Sequence, residues 1–316
     1  MELPIASILI LSVIAGACQA APLARPSSPA GVRAMFGPVV ATQVIRGRDY
    51  NGDEVLLLVD TTIVHVDVRN QRSWTTPIQL APGESCWGLA RLADGSVWTL
   101  KGRDAVIRIA ADGSVSRAID LREPHMNLFA AGHRLVVQRG LATAPDPALH
   151  AIEPGVANER PWSALKTRHV PGIARAQAAA LSLVACGGTE LAERPCWFPD
   201  QAALSLIDVD GRARHMGLAG LDPVSPEVLL TAENPRRPIR DAYVDRDGRI
   251  WVLSTGDAPP GAEDAPGGWL LARYSASGAL EGQARLTESV RLILAVRDRR
   301  LIVLAGSGHV SEVASW

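Results

Sequence analysis

Residues 245–253, Asp245-Arg246-Asp247-Gly248-Arg249-Ile250-Trp251-Val252-Leu253, set a tight Asp-Gly turn directly ahead of an apolar run that carries a tryptophan. The stretch 94–100, Asp94-Gly95-Ser96-Val97-Trp98-Thr99-Leu100, repeats the pattern. Such a turn flanked by branched and aromatic residues signals a hairpin, because Gly reaches positive φ without steric cost and the branched side chains suit a pleated surface. Working outward, comparable second strands are expected at 54–59, 134–137, 180–185 and 300–305. Apolar first strands precede them, for example at 42–45, 88–93, 127–130, 241–245 and 292–297. Third strands follow at 63–68, 105–110, 149–152, 203–209, 269–274 and 309–314, and fourth strands in most repeats, as at 114–121, 213–218 and 280–286. A four-stranded unit that recurs six times buries its faces only by stacking on its neighbours, which is the pattern of a β-propeller. The expected fold is therefore all-β: a six-bladed β-propeller over residues 32–316. The last repeat stops at Trp316 after three strands, so residues 32–40 are expected to supply the fourth and close the ring, removing open sheet edges.

Through Asp94-Gly95-Ser96-Val97-Trp98 and Asp245-Arg246-Asp247-Gly248-Arg249-Ile250-Trp251 the chain resembles the six-bladed propellers of the NHL-repeat and gluconolactonase-like group. The resemblance covers nearly all of the chain after the N-terminal segment. It implies tryptophans packed between neighbouring blades. It also implies one possible chemistry, a divalent metal such as calcium held at the central channel by Glu, Asn and Asp from separate blades. Asn127, Asp241 and Glu288 make a partial set for that ion, so a metal-dependent gluconolactonase-like or esterase-like hydrolase is the alternative function. Nucleophilic catalysis has less to stand on: there is no G-x-S-x-G, and His125 has no identifiable Ser partner. His65 and Asp67 share a face of one strand and read as solvent-facing.

Loop length separates two ends of such a molecule. Antiparallel strands put the first-to-second and third-to-fourth connections at one end, where Asp-Gly turns keep them tight. The second-to-third and blade-to-blade connections share the other end, with long insertions at 138–148, 186–201 and 254–268. Long loops on a rigid scaffold are where recognition residues concentrate. Trp87, His125, Arg240, Asp241 and Glu288 fall at this end and are the candidate ligand-binding residues. Because a propeller hosts unrelated activities, the preferred reading is a binding or scaffold protein without a cofactor. Its ligand or partner, a protein or a small molecule, is recognised at the loop-rich face.

The 316 residues carry a formal net charge of -1 with no long basic run, which argues against a nucleic-acid partner. Lysine occurs only at Lys101 and Lys166 among many arginines, as in GC-rich bacterial genomes. Residues 1–20 read as a signal peptide, with a short apolar stretch at 3–17. Ala15-Gly16-Ala17-Cys18 resembles a lipobox with Cys18 as the lipidated residue, and Cys18-Gln19-Ala20 equally suits ordinary cleavage. Both lead to an exported monomer, either periplasmic or an outer-membrane lipoprotein that touches the membrane only through its anchor. Residues 21–31 form a Pro/Ala/Ser tether. In an oxidising compartment Cys186 and Cys196 are the natural disulfide, closing one loop, and Cys86 reads as a small buried hydrophobe.

Overall fold

A computed structural model describes residues 27–41, 43–51, 53–121, 125–131, 134–139, 149–152, 184–185, 193–197, 203–208, 213–218, 240–245, 247–254, 268–297 and 300–314. All regular structure among them is β-strand. The described chain opens with β1 (Ser27–Ala30) and β2 (Val32–Phe36). The first sheet then follows in chain order: β3 (Ile45–Asn51), β4 (Glu54–Val59), β5 (Thr62–Asp67) and β6 (Arg72–Pro77). The second is β7 (Cys86–Arg91), β8 (Val97–Lys101), β9 (Ala105–Ile109) and β10 (Val115–Asp120). The third has three described strands, β11 (His125–Ala131), β12 (Arg134–Arg139) and β13 (Leu149–Ile152). The fourth comprises β14 (Val184–Ala185), β15 (Glu193–Trp197), β16 (Ala203–Asp208) and β17 (Ala213–Gly217).

In the fifth sheet β18 (Asp241–Val244), β19 (Ile250–Ser254), β20 (Leu270–Tyr274) and β21 (Leu280–Leu286) meander, and β1 adds to β21 in parallel. The sixth holds β22 (Val290–Arg297), β23 (Arg300–Ala305) and β24 (Val310–Val313), with β2 antiparallel to β24, Val32 opposite Val313. The strand expected from 32–40 is thus present, shortened to Val32–Phe36.

The Asp-Gly turns have a recurrent chemistry. Gly95, Gly113 and Gly248, together with Gly278 in the Ser-Gly turn of the fifth sheet, all sit at positive φ, and each donates its N–H to the carbonyl three residues back, at 2.9–3.0 Å. In the fifth sheet the Asp245 carboxylate accepts the N–H groups of Asp247 and Arg249, and its second oxygen takes the Trp251 indole N–H at 2.9 Å. In the second sheet the same link runs through a hydroxyl: Ser96 binds Asp94 at 2.6 Å and receives the Trp98 indole N–H at 2.9 Å. The acidic residue therefore caps the turn and orients the buried tryptophan. Trp98 packs among side chains of the second and third sheets, and Trp251 among those of the fifth, sixth and first.

Three expectations are corrected. Residues 42–45 were expected as a first strand, whereas the strand is Ile45–Asn51. Its polar run Arg48-Asp49-Tyr50 reads as loop by hydropathy but is buried, because each side chain finds a partner on another sheet. Residues 180–185 were expected as a second strand with 186–201 as a loop, yet Val184–Ala185 is the first strand of its sheet and Glu193–Trp197 the second. Charge at Glu193 and Arg194 and the missing N–H of Pro195 hide β15 from pattern reading. The tether expected over 21–31 gives up its last part, since Ser27 and Ala30 pair with Ala284 and Leu286.

Candidate functional site

Arginines and aromatics gather where the first strands of the sheets begin. Trp87, at the start of β7, is half-buried, and two guanidinium groups lie over its ring: Arg46 at 4.7 Å and Arg103 at 5.7 Å from the centroid. Its indole N–H reaches the Ser85 hydroxyl at 3.3 Å. Arg46 also pairs with Asp60 in the β4–β5 turn at 3.1 Å, and Lys101 with Glu84 at 2.8 Å. The hydrogen bond and charge of Glu84 hold the Lys101 ammonium above its ordinary pKa, and the carboxyl of Glu84 correspondingly below. Arg291, at the start of β22, donates to the Ala41 carbonyl at 2.6 Å and to that of Gln43, which pins the segment ending in Val44. Val44 is 69% exposed, the most exposed large apolar side chain among the described residues.

The remaining candidates have distinct surroundings. Arg240 is half-buried, donates its backbone N–H to Leu253 at 2.7 Å and places its guanidinium 6.0 Å from the Trp269 ring centroid. Glu288 stands exposed between β21 and β22. His125 heads β11 opposite Arg139, and Asn127 faces Gln138 across the same ladder; their side chains lie outside the described residues. Cys18 and Cys186 lie outside them as well, so only the backbone of the expected disulfide is visible on one side, with Cys196 opposite Ala185. Most of the three long loops falls outside the described residues too.

Among the described residues, Asp241 pairs with none of the other candidates. Its side chain is completely buried and meets Arg48 in a bidentate pair, with Nη1 and Nη2 at 2.8 and 2.5 Å. Each carboxylate oxygen accepts one further backbone N–H, from Ala242 at 2.7 Å and from Ile293 at 2.6 Å. Tyr50 lies beside the pair, donating its hydroxyl to the Ile293 carbonyl at 2.6 Å and meeting Tyr243 edge-on at 5.6 Å. Four donors on one carboxylate make Asp241 a junction of the first, fifth and sixth sheets. Among the described residues no three His, Cys, Asp or Glu side chains converge as a metal site would require.

At the end of the Asp-Gly turns lies a second polar cluster that was not anticipated. His65 Nδ1 is 3.1 Å from Glu54 Oε1, and its Nε2 is 3.1 Å from the Thr76 hydroxyl. Glu54 also receives Arg91 at 2.7 Å, and Trp74 stacks on the imidazole at 4.7 Å. His65 is therefore not simply solvent-facing. Burial would raise the Glu54 carboxyl, but bonds from His65 and Arg91 together outweigh it and hold the group below its ordinary pKa. The signal lay across the strands: Glu54 and Thr76 each stand eleven residues from His65, one on either neighbouring strand.

Cys86 is fully buried, and burial pushes its thiol up to about 11, which keeps it protonated and inert at neutral pH.

No family model and no curated protein matches the chain. Solved structures do. Selenomethionine-substituted virginiamycin B lyase from Staphylococcus aureus is 10% identical, with a TM-score of 0.50 over 82% of this chain and 76% of that one. The β-propeller domain of Myceliophteria thermophila Cps50 (Swd1) is 11% identical at a TM-score of 0.51, covering 91% of this chain and all of that one (100%). YCF48 bound to D1 peptide is 12% identical, again at 0.51, over 90% and 85% of the two chains. At such identities the likeness is one of fold, and with the antiparallel sheets it makes this chain a β-propeller.

Proposed function

We propose that the chain is a six-bladed β-propeller, closed by β2 in the last blade, whose loop-rich end recognises a partner or ligand. One observation carries the reading: at that end Trp87 with Arg46 and Arg103, Arg240 on Trp269, and the protruding Val44 are presented at strand starts. Trp and Arg dominate the energetics of recognition surfaces because they combine large contact area with directional donors. Export, with residues 1–20 as leader and Cys18 as one of two cleavage or lipidation readings, belongs to the same proposal. So does a monomeric, cofactor-free state.

Metal-dependent hydrolysis has weaker support. It would call on Asp241, and that carboxylate is committed to Arg48 and two backbone amides. Stripping those donors to admit an ion would leave Arg48 buried and unpaired, which costs several kcal/mol.

The test is site-specific photocrosslinking in the producing cell. A photoreactive residue at Trp87 or Glu288 should capture a discrete product, whereas one at Ser116 or Asp247 should not. Equal capture at all four positions, or none at any, would count against recognition at this end.

A further inference from the structure

We propose that Arg103, held against the face of Trp87, receives a carboxylate from an acidic polypeptide segment of a protein partner. The inference rests on the loop-rich end being a recognition surface and names the chemistry recognised there.

The argument starts from the two arginines on one ring. A guanidinium stacked on an indole has its face occupied, while the N–H fork along its edge stays free and already oriented for an oxyanion. Arg46 displays the result within the chain: stacked on Trp87 at 4.7 Å, it holds the Asp60 carboxylate at 3.1 Å. Arg103 repeats the arrangement at 5.7 Å, is exposed, and forms no ion pair among the described residues. The neighbouring charges are otherwise engaged. Lys101 is bound by Glu84 and Arg291 by two backbone carbonyls. Asp104, the adjacent exposed acid, has its Oδ1 turned back over Gly102, 3.2 Å from where a Cβ on that glycine would stand.

The partner chemistry follows from this vacancy of charge and from what borders it. Val44, 69% exposed, stands two residues before Arg46, which itself stacks on Trp87, on the segment pinned by Arg291, and offers an apolar contact next to Arg46 along the chain. An extended segment with an Asp or Glu near an aliphatic side chain meets both features. A carboxylate taken in the fork gains charge-assisted hydrogen bonds without first ordering the arginine.

The experiment selects random peptides displayed on phage against the immobilised full chain, with recovered peptides then measured by fluorescence polarisation. Recovered sequences should be enriched in Asp and Glu. Their affinity should fall about ten-fold or more on Arg103→Gln, and equally when the peptide acid is replaced by its amide, a loss near 1.4 kcal/mol. Arg117→Gln, on outer strand β10, should leave binding unchanged. Recovered peptides without acidic enrichment, or unaffected by Arg103→Gln, would overturn the proposal. Acidic peptides insensitive to Arg103→Gln but lost on Arg240→Gln would overturn it while sparing recognition at the loop-rich end. Failure to recover any peptide would count against both readings.

Discussion

Asp241 shows how a residue chosen for one reason can serve another. Sequence places it at the loop-rich end of an inner strand, a reasonable position for a ligand contact, but cannot show the arginine facing it from a strand almost two hundred positions away. Replacing Asp241 by Ala would leave Arg48 buried without its counter-charge, at a cost of about 3–5 kcal/mol. Urea unfolding should show that loss, and the double variant Arg48→Met/Asp241→Leu should recover much of it if the pair is a packing junction. The Asp-Gly-x-Ile/Val-Trp motif was legible as turn plus core aromatic. The link from turn carboxylate to indole N–H was not, because it runs directly in Asp245–Trp251 and through a hydroxyl in Asp94–Ser96–Trp98. Cys86 gives a further prediction: its thiol should ignore a disulfide reagent at neutral pH until denaturant exposes it, since burial holds it near 11. Rapid labelling of the native protein would contradict that.

Among the elements, strands with alternating or continuous apolar runs were readable, and those whose stability comes from partners were not. β4, β8, β19 and β23 lie where their hydropathy puts them. β3 was misplaced because its polar residues are buried against other sheets, and β15 because Glu, Arg and Pro mask its pairing. β1 was missed because a Ser-Ser-Pro-Ala segment has no strand pattern of its own and takes its shape from the edge of β21. Removing residues 27–36 takes a strand from each of two sheets, together with the Thr287–Ala30 and Ala314–Gly31 backbone bonds. Thermal unfolding should move down by roughly 10 °C or more, given about 2–4 °C for each kcal/mol in a chain of this size. Gly308→Ala tests the adjoining segment: at a φ of 84° its new Cβ would sit 1.8 Å from the Val40 carbonyl oxygen. A stability equal to wild type after removal of residues 27–36 would show that the N-terminal strands add little, and wild-type stability of Gly308→Ala would show that the approach of Val40 to Gly308 carries no weight.

At the scale of the whole molecule, acid should be the sensitive direction. Hydrogen bonds from Ser96, Ser114 and Asn70 hold the carboxyls of Asp94, Asp112 and Asp67 below their ordinary pKa, and Glu54 is lowered as well. Groups depressed by folding contribute stability that is complete above the unfolded carboxylate pKa and disappears as pH falls through the folded values. The melting temperature should therefore hold steady from neutrality to about pH 5 and drop below it. The double variant Asp94→Asn/Asp112→Asn should flatten the drop; a wild-type curve flat to pH 3 would contradict the assignment. The pairing of Val32 with Val313 has a consequence of another kind. A ribosome delivers β24 (Val310–Val313) long after β2 (Val32–Phe36), so in the interval the edge of β2 has no mate. A nascent chain stalled in that interval would present the unpaired edge of β2 to whatever lies nearby.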